Sequence, residues 1–369
     1  MPPRSWGDIY TGLGVRPVIN AGGNTTEWGG SWVSPKVQEA MVRANESWIS
    51  MGELLDKAGE RIAELLGTEA AFPTAGCYSA MALAAAACIA GNDAERRRRL
   101  PDVSGLKHEI VILKPQMTGF ARAYTVCGGK LVEAGSKEGC SVADIEKAIG
   151  PNTAGISYYV QEDWPATILP YADTVKLAHK HGLPVIVDGA SRNYPLDFFR
   201  QTAQTGDLVC FSGKYLNAPQ SIGFVTGKKD LVQAAHASGF PFGRSMKVDR
   251  QEIVGLVVAV EEWFSMNHEE RFMVYNRRFD VIEKAVKGLA NVNEAKVVRV
   301  TRFPGVTLHV TLNTQRLGKD AQSVVRALDA GNPRVRVLLG GPDTLNVNVH
   351  SLADGQAEVV AERLRAVLG

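Results

Sequence analysis

One stretch, Leu183 to Gly227, limits what this chain can fold into more than any other. It opens with an apolar run, Pro184-Val185-Ile186-Val187, that ends on an acid, Asp188. A second apolar run, Leu208-Val209-Cys210-Phe211, ends on Ser212-Gly213-Lys214. β-branched apolar runs bounded by Gly and Pro read as buried strands of a parallel sheet. In open α/β sheets, ligands sit beyond the carboxyl ends of the strands. The pattern therefore predicts that one carboxylate and one amine reach the same rim of one sheet.

That pairing suits pyridoxal 5'-phosphate. The cofactor needs a lysine to hold its aldehyde as a Schiff base. It also needs an acid against its pyridine nitrogen, so that the ring withdraws electrons. Lys214 and Asp188 supply both and are the candidate catalytic residues. Once substrate displaces Lys214, the freed amine is a positioned base for the α-proton.

The pattern D-G-A-S followed by G-D-L-V-C-F-S-G-K-Y-L-N-A-P-Q-S-I-G-F-V-T-G-K-K-D-L resembles the fold-type-I pyridoxal-phosphate enzymes of the selenium-transferase-like (SelA-like) group. That group includes bacterial seryl-tRNA selenium transferase and D-glucosaminate-6-phosphate ammonia-lyase. Val18-Ile19-Asn20-Ala21-Gly22-Gly23 and Gly243-Arg244-Ser245-Met246-Lys247-Val248-Asp249 also fit it. The resemblance implies an α/β fold, with a mostly parallel sheet in a large domain and a small C-terminal α+β domain. We expect residues 1–268 to form the N-terminal segment and large domain, and 269–369 the small one.

The turn Thr74-Ala75-Gly76-Cys77-Tyr78-Ser79 feeds an Ala-rich helix, and a helix N-terminus offers free N–H groups and a favourable dipole to an anion. The resemblance gives this turn the cofactor phosphate: the Gly76 and Cys77 amides, with Thr74 and Ser79 as hydroxyl candidates. Ser212 is a further phosphate candidate. Ser191 falls where related enzymes put a group near the ring's 3-oxygen. Gln116 or Met117 occupies the region over the ring, with Gln116 preferred. The loop Asn217–Ser221 is expected to approach a partner's cofactor, which adds Ser221 and implies a homodimer or larger homo-oligomer.

Arg244 and Lys247 form a candidate anion pocket for substrate, Arg as a bidentate fork and Lys as a point charge. Asn24 lies in the irregular N-terminal segment, of a kind that often lines a site. The arginine that the group often carries near the chain end is replaced by His350 in Asn348-Val349-His350-Ser351, so Arg336 and Arg192 become the carboxylate candidates.

Composition removes several other classes. Of 369 residues, 45% are hydrophobic, enough for a large core, and the net charge of +2 makes no case for nucleic acid. Arg96–Arg99 has no aromatic or further basic cluster beside it, so we expect a solvated or inter-subunit ion-pair segment. The start, MPPRSWGDIYTG, lacks an apolar signal core, and no apolar run is long enough to span a membrane. Five scattered cysteines without metal spacing point to a reducing cytoplasm. His179 and His181 do not share a helix face; we expect them to pair with the helix C-terminus and to hold no metal.

The expected activity is that of a lyase on a small hydroxylated or phosphorylated amino acid. An external aldimine would form, Lys214 would take the α-proton, and a β-substituent would leave, giving a 2-oxo acid and ammonia. Aldol cleavage or racemisation would use the same carbanion. Selenium transfer on seryl-tRNA is disfavoured by the near-neutral charge and by a core that begins almost at Ile19-Asn20. A silent binding protein is disfavoured by the intact Asp188–Lys214 pair.

Overall fold

The computed structural model describes residues 9–161, 163–299 and 305–369. By internal contacts the chain divides into two units, Ser31–Met266 and the residues up to Gly30 grouped with Asn267–Gly369. This grouping differs from the expected one chiefly in the N-terminal segment, which goes with the C-terminal residues. That segment carries a helical turn, α1 (Ile9–Gly12), and a two-residue strand, β1 (Ile19–Asn20).

In the larger unit, Ser34 and Pro35 start α2 (Pro35–Arg43), where the Ser34 hydroxyl accepts from the Val37 amide at 3.1 Å. The apolar spacing Val37, Met41, Ala44, Trp48 suggests one helical face. However, α2 stops at Arg43, and Trp48 is 90% exposed. A second serine cap, Ser50, opens α3 (Met51–Leu66), and Gly67 closes it with φ +71°.

The sheet strands are β2 (Ala70–Thr74), β3 (Glu109–Leu113), β4 (Lys130–Ala134), β5 (Thr153–Tyr159), β6 (Val185–Asp188), β7 (Leu208–Ser212) and β8 (Gly223–Gly227). Their order is β2-β8-β7-β6-β5-β3-β4. β8 pairs antiparallel with β2 and β7, while the other pairs are parallel, so only β8 is reversed. The carboxyl ends of β2, β3, β5, β6 and β7 thus share one rim.

Helices α4 (Gly76–Ala90), α5 (Ala94–Arg99), α6 (Val142–Ala148), α7 (Tyr171–Lys180), α8 (Leu196–Thr205), α9 (Lys229–Ala237) and α10 (Arg250–Ser265) complete this unit. α4 is apolar on every side, and ten of its fifteen residues are buried. A helix of that composition belongs in a core, and α4 shares one cluster with strand residues such as Ile186, Cys210 and Val225. The arginines of α5 are held locally, Arg96 by Asp93, Arg98 by Glu95 and Arg99 by Asp102. His179 pairs with Asp207 and His181 with Glu146, instead of acting on the helix end alone.

The smaller unit continues with α11 (His268–Val286), β9 (Val292–Arg299), β10 (Val306–Leu312), α12 (Thr314–Leu317), α13 (Ala321–Ala330), β11 (Val335–Arg336), β12 (Leu338–Leu339), β13 (Thr344–Val347) and α14 (Gln356–Leu368). The expected strand Lys296–Val300 is seen to Arg299; Val300 lies outside the described residues. An antiparallel sheet, β12-β13-β10-β9, shares a core with α11, α13 and α14. The expected strand Val335–Leu339 is split: β11 pairs in parallel with β1, and β12 pairs with β13. The β1–β11 pairing, a 2.8 Å bond from the Asn348 amide to the Ala21 carbonyl, and the burial of Ala21 in this core explain why the N-terminal segment belongs here.

Candidate active site

Asp188 is the last residue of β6 and is 8% exposed. Sheet register places it between Tyr159 of β5 and Cys210 of β7. The Ala190 amide donates to its Oδ1 at 3.1 Å, and the Cys77 thiol lies 3.8 Å from the same oxygen. Both bonds fall on Oδ1, which leaves Oδ2 to accept from a ring nitrogen. Burial raises the Asp188 carboxyl above its usual range, opposed by the Ala190 amide, the Cys77 thiol and the nearby Arg192 guanidinium.

Lys214 stands on a short 3-10 turn, Gly213–Leu216, that Asn217 closes in the left-handed region at φ +57°. The Gly213 amide donates to the Ile222 carbonyl at 2.9 Å, and a Cβ there would meet that oxygen at 2.8 Å. So one glycine before the lysine is sterically required, although the group's usual pair is reduced to one. Lys214 is half-buried, and burial lowers its amine, so it loses its proton more readily than an exposed lysine.

Gly76 opens α4 at φ +78°, and Ala75 before it supplies no side-chain cap. A Cβ on Gly223 would lie 2.8 Å from the Cys77 nitrogen, so the bare backbone of β8 lets the start of α4 settle on the rim. A buried acid with one open oxygen, a lysine easily neutralised and an uncapped helix start on one rim together fit pyridoxal phosphate.

The other sequence candidates sort by placement. Thr74 is buried and donates its hydroxyl to the Gly76 carbonyl at 3.0 Å, so its proton serves the turn instead of a ligand. Ser79 is half-buried in the first turn of α4, and Ser212 is buried at the end of β7. Ser191 is half-buried in the turn after Asp188. Gln116 is buried, its Oε1 accepting from the Tyr159 amide at 2.9 Å, which fixes its amide plane at the end of β5. Ser221 is exposed, and its hydroxyl faces Glu252.

Arg192 is 3% exposed and gives its Nε–H to the Val160 carbonyl at 2.8 Å. Its charge acts on Asp188 instead of standing open to a carboxylate. Arg244 and Lys247 are exposed and line one cleft of about 840 Å³ with Met51, Phe72, Leu83 and His236. None of Gly76, Asp188 and Lys214 lines it.

In the smaller unit, Arg336 is tied to Asp329 at 2.7 Å and lies over the Trp28 ring. Asn24 is buried; its Oδ1 accepts from His350 Nε2 at 2.6 Å and from the Ser351 hydroxyl at 3.3 Å. Burial, with Arg271 alongside, lowers His350 to about 3, so its ring is neutral at physiological pH.

Sequence reading missed two residues. Asn193 is buried; its side-chain amide donates to the Tyr215 carbonyl, and its own carbonyl accepts from Trp263 Nε1 at 2.7 Å. It therefore ties the Asp188 turn to the Lys214 turn. Tyr124 is 2% exposed, and its hydroxyl, pushed up by burial and by Asp188, faces Ser157. Tyr124 and Ser157 line a small cavity together with Gln116 and Asp188. Neither Asn193 nor Tyr124 sits in a motif; only the closeness of Asn193 to Asp188 in sequence offered a signal.

The aminotransferase class-V family pattern matches residues 41–253. D-Glucosaminate-6-phosphate ammonia lyase of Salmonella typhimurium is 29% identical over 98% of both chains. A solved structure of D-glucosaminate-6-phosphate ammonia-lyase superposes with a TM-score of 0.87, covering 100% of this chain and 99% of that one. The 5'-C-glycyluridine monooxygenase-decarboxylase of a Streptomyces species is 31% identical over 97% of this chain and 92% of its own. Serine palmitoyltransferase of S. paucimobilis, solved with a pyridoxal-phosphate–myriocin adduct, shares the fold at 14% identity, with a TM-score of 0.59 over 95% of this chain and 87% of that one.

Proposed function

The chain belongs to the aminotransferase class-V family and is a fold-type-I pyridoxal-phosphate enzyme, and on that premise we propose that it is a lyase on a phosphorylated amino sugar acid. The reading rests on one observation: the Asp188–Lys214 rim is intact in a chain that matches an ammonia-lyase along nearly its whole length. Bound pyridoxal phosphate supplies the electron sink that makes the substrate's α-proton removable. Lys214 takes that proton with an amine that burial keeps easily neutral. Asp188 would hold the ring nitrogen, and the start of α4 would hold the phosphate. A β-hydroxyl leaves as water, water returns on hydrolysis, and the products are a 2-oxo acid and ammonia.

The unit of function is a homodimer. Trp48, Phe240 and Trp32 are 90%, 72% and 66% exposed, large apolar side chains of the kind a second copy would cover. The cleft of Arg244 and Lys247, apart from the Asp188 rim in one chain, then serves the substrate phosphate of the neighbouring copy. The five cysteines form no disulfide, which fits a reducing cytoplasm. Among the described residues no helix is long and apolar enough to cross a membrane.

The test is a spectral titration of the cofactor-loaded protein with D- and L-serine, threonine and phosphorylated amino sugar acids, with ammonia and 2-oxo acid measured together. Both products in equal amounts from a phosphorylated amino sugar acid support the reading. A spectral shift without either product points to racemisation or aldol cleavage. Dioxygen uptake with carbon dioxide release overturns it in favour of chemistry like that of the Streptomyces relative.

A further inference from the structure

Cys77 carries a half-buried thiol that the proposed reaction does not use. Its sulfur lies 3.8 Å from Asp188 Oδ1 and 3.5 Å from the Cys210 carbonyl oxygen. The backbone fixes both acceptors: Gly189 N–H donates to the Cys210 carbonyl at 3.0 Å and Ala190 N–H to Oδ1 at 3.1 Å. A carbonyl oxygen has two lone pairs, so it can accept from Gly189 and from the thiol together. A thiol has one proton and can serve only one of the two oxygens at a time. An ionised carboxylate attracts that proton more strongly than a peptide carbonyl does.

We propose that Cys77 is a positioning residue whose S–H proton points to Asp188 when that carboxylate is charged and turns to the Cys210 carbonyl when it is not. The thiol thereby favours the ionised acid and keeps Oδ2 turned to the cofactor's ring nitrogen. Arg192 from the turn after β6 assists it, and Tyr124 and the Cys210 thiol face the same carboxylate. The Lys214 charge also acts on Cys77. The inference rests on the pyridoxal-phosphate site described above.

The test reads the infrared S–H stretch of the full chain, assigned by its loss in Cys77→Ala. In the holoenzyme the Cys77 band lies at lower frequency than in Asp188→Asn, where the charged acceptor is gone. In the cofactor-free chain the same band moves up as pH falls and Asp188 takes a proton. Cys77→Ala weakens pyridoxal-phosphate binding about three- to tenfold, the worth of one modest hydrogen bond, and Cys77→Ser, which keeps a donor, recovers part of it. An S–H band equal in wild type and Asp188→Asn overturns the proposal, as does a Cys77→Ser variant that binds no better than Cys77→Ala. If no variant bound the cofactor, the cofactor reading would fail, while the pH response of the band would still decide the thiol's role.

Discussion

Two aspartates occupy opposite rims of the same sheet. Asp188 closes β6 at the carboxyl rim, and Asp207 precedes β7 at the amino rim. They are similarly buried, at 8% and 5% exposed. Asp207 is fully employed: His179 Nε2 reaches its two oxygens at 3.0 and 2.9 Å, and the Val185 amide donates to Oδ2 at 2.8 Å. Asp188 has one backbone amide and a weak thiol donor, both on one oxygen. Burying a charge costs energy unless hydrogen bonds or ion pairs offset it. The amino rim meets that cost within the fold. The carboxyl rim leaves part of it to be met by a ligand.

The sharpest break in this comparison is Lys214→Ala. It removes both the proposed cofactor anchor and the proposed base, and should lower activity by about 10⁴-fold or more, with no protein labelled by borohydride in the presence of pyridoxal phosphate.

Asp188→Asn should cost about 10²- to 10³-fold in turnover and shift the visible cofactor band. Its thermal midpoint without cofactor should stay level or rise, because an incompletely paired buried charge has gone. The sign follows from linkage. The folded Asp188 is raised by burial, so it binds protons more tightly than in the unfolded chain. It therefore lowers stability as pH rises above the ordinary carboxylate range, and Asp188→Asn removes that loss. A marked drop in stability at neutral pH would make the two rims alike.

Asp207→Ala should do the reverse. It strands the Val185 amide and the His179 partner, at about 2–3 kcal/mol in urea unfolding, while the cofactor band stays in place.

His350→Gln extends the comparison to the smaller unit at about 2 kcal/mol. The folded His350 titrates at about 3 against 6.5 in the unfolded chain. Between those values the unfolded chain carries a proton that the folded one excludes, so stability falls as pH drops through the window. His350→Gln should remove about 2 kcal/mol of the loss between pH 7 and pH 5, read from urea midpoints at the two pH values.

Much of the sheet was legible because its signals are local. Apolar runs mark β6 and β7, and Ser34 and Asp249 cap helices where the pattern predicts, whereas α3 begins at Met51 behind a Ser50 cap, earlier than the Leu54 its apolar pattern suggests. Trp48 misled because a helical spacing does not show where the helix stops. β1 and its pairing with β11 were illegible because so short a strand has no periodicity, and its partner lies more than three hundred residues away.

The sequence by itself determined that an acid and a lysine stand at or just past the ends of two strands, since strand length and the residues at the strand end are written in consecutive positions. Only the tertiary structure decided what surrounds them. Cys77 reaches Asp188 across 111 residues of sequence, Tyr124 closes in from beyond β3, and Asn193 ties the two turns together. Strand order and the seating of α4 against the bare backbone of Gly223 create those neighbours. The proton affinities of Asp188 and Lys214 are set by burial and by groups brought near in space, which no local pattern records.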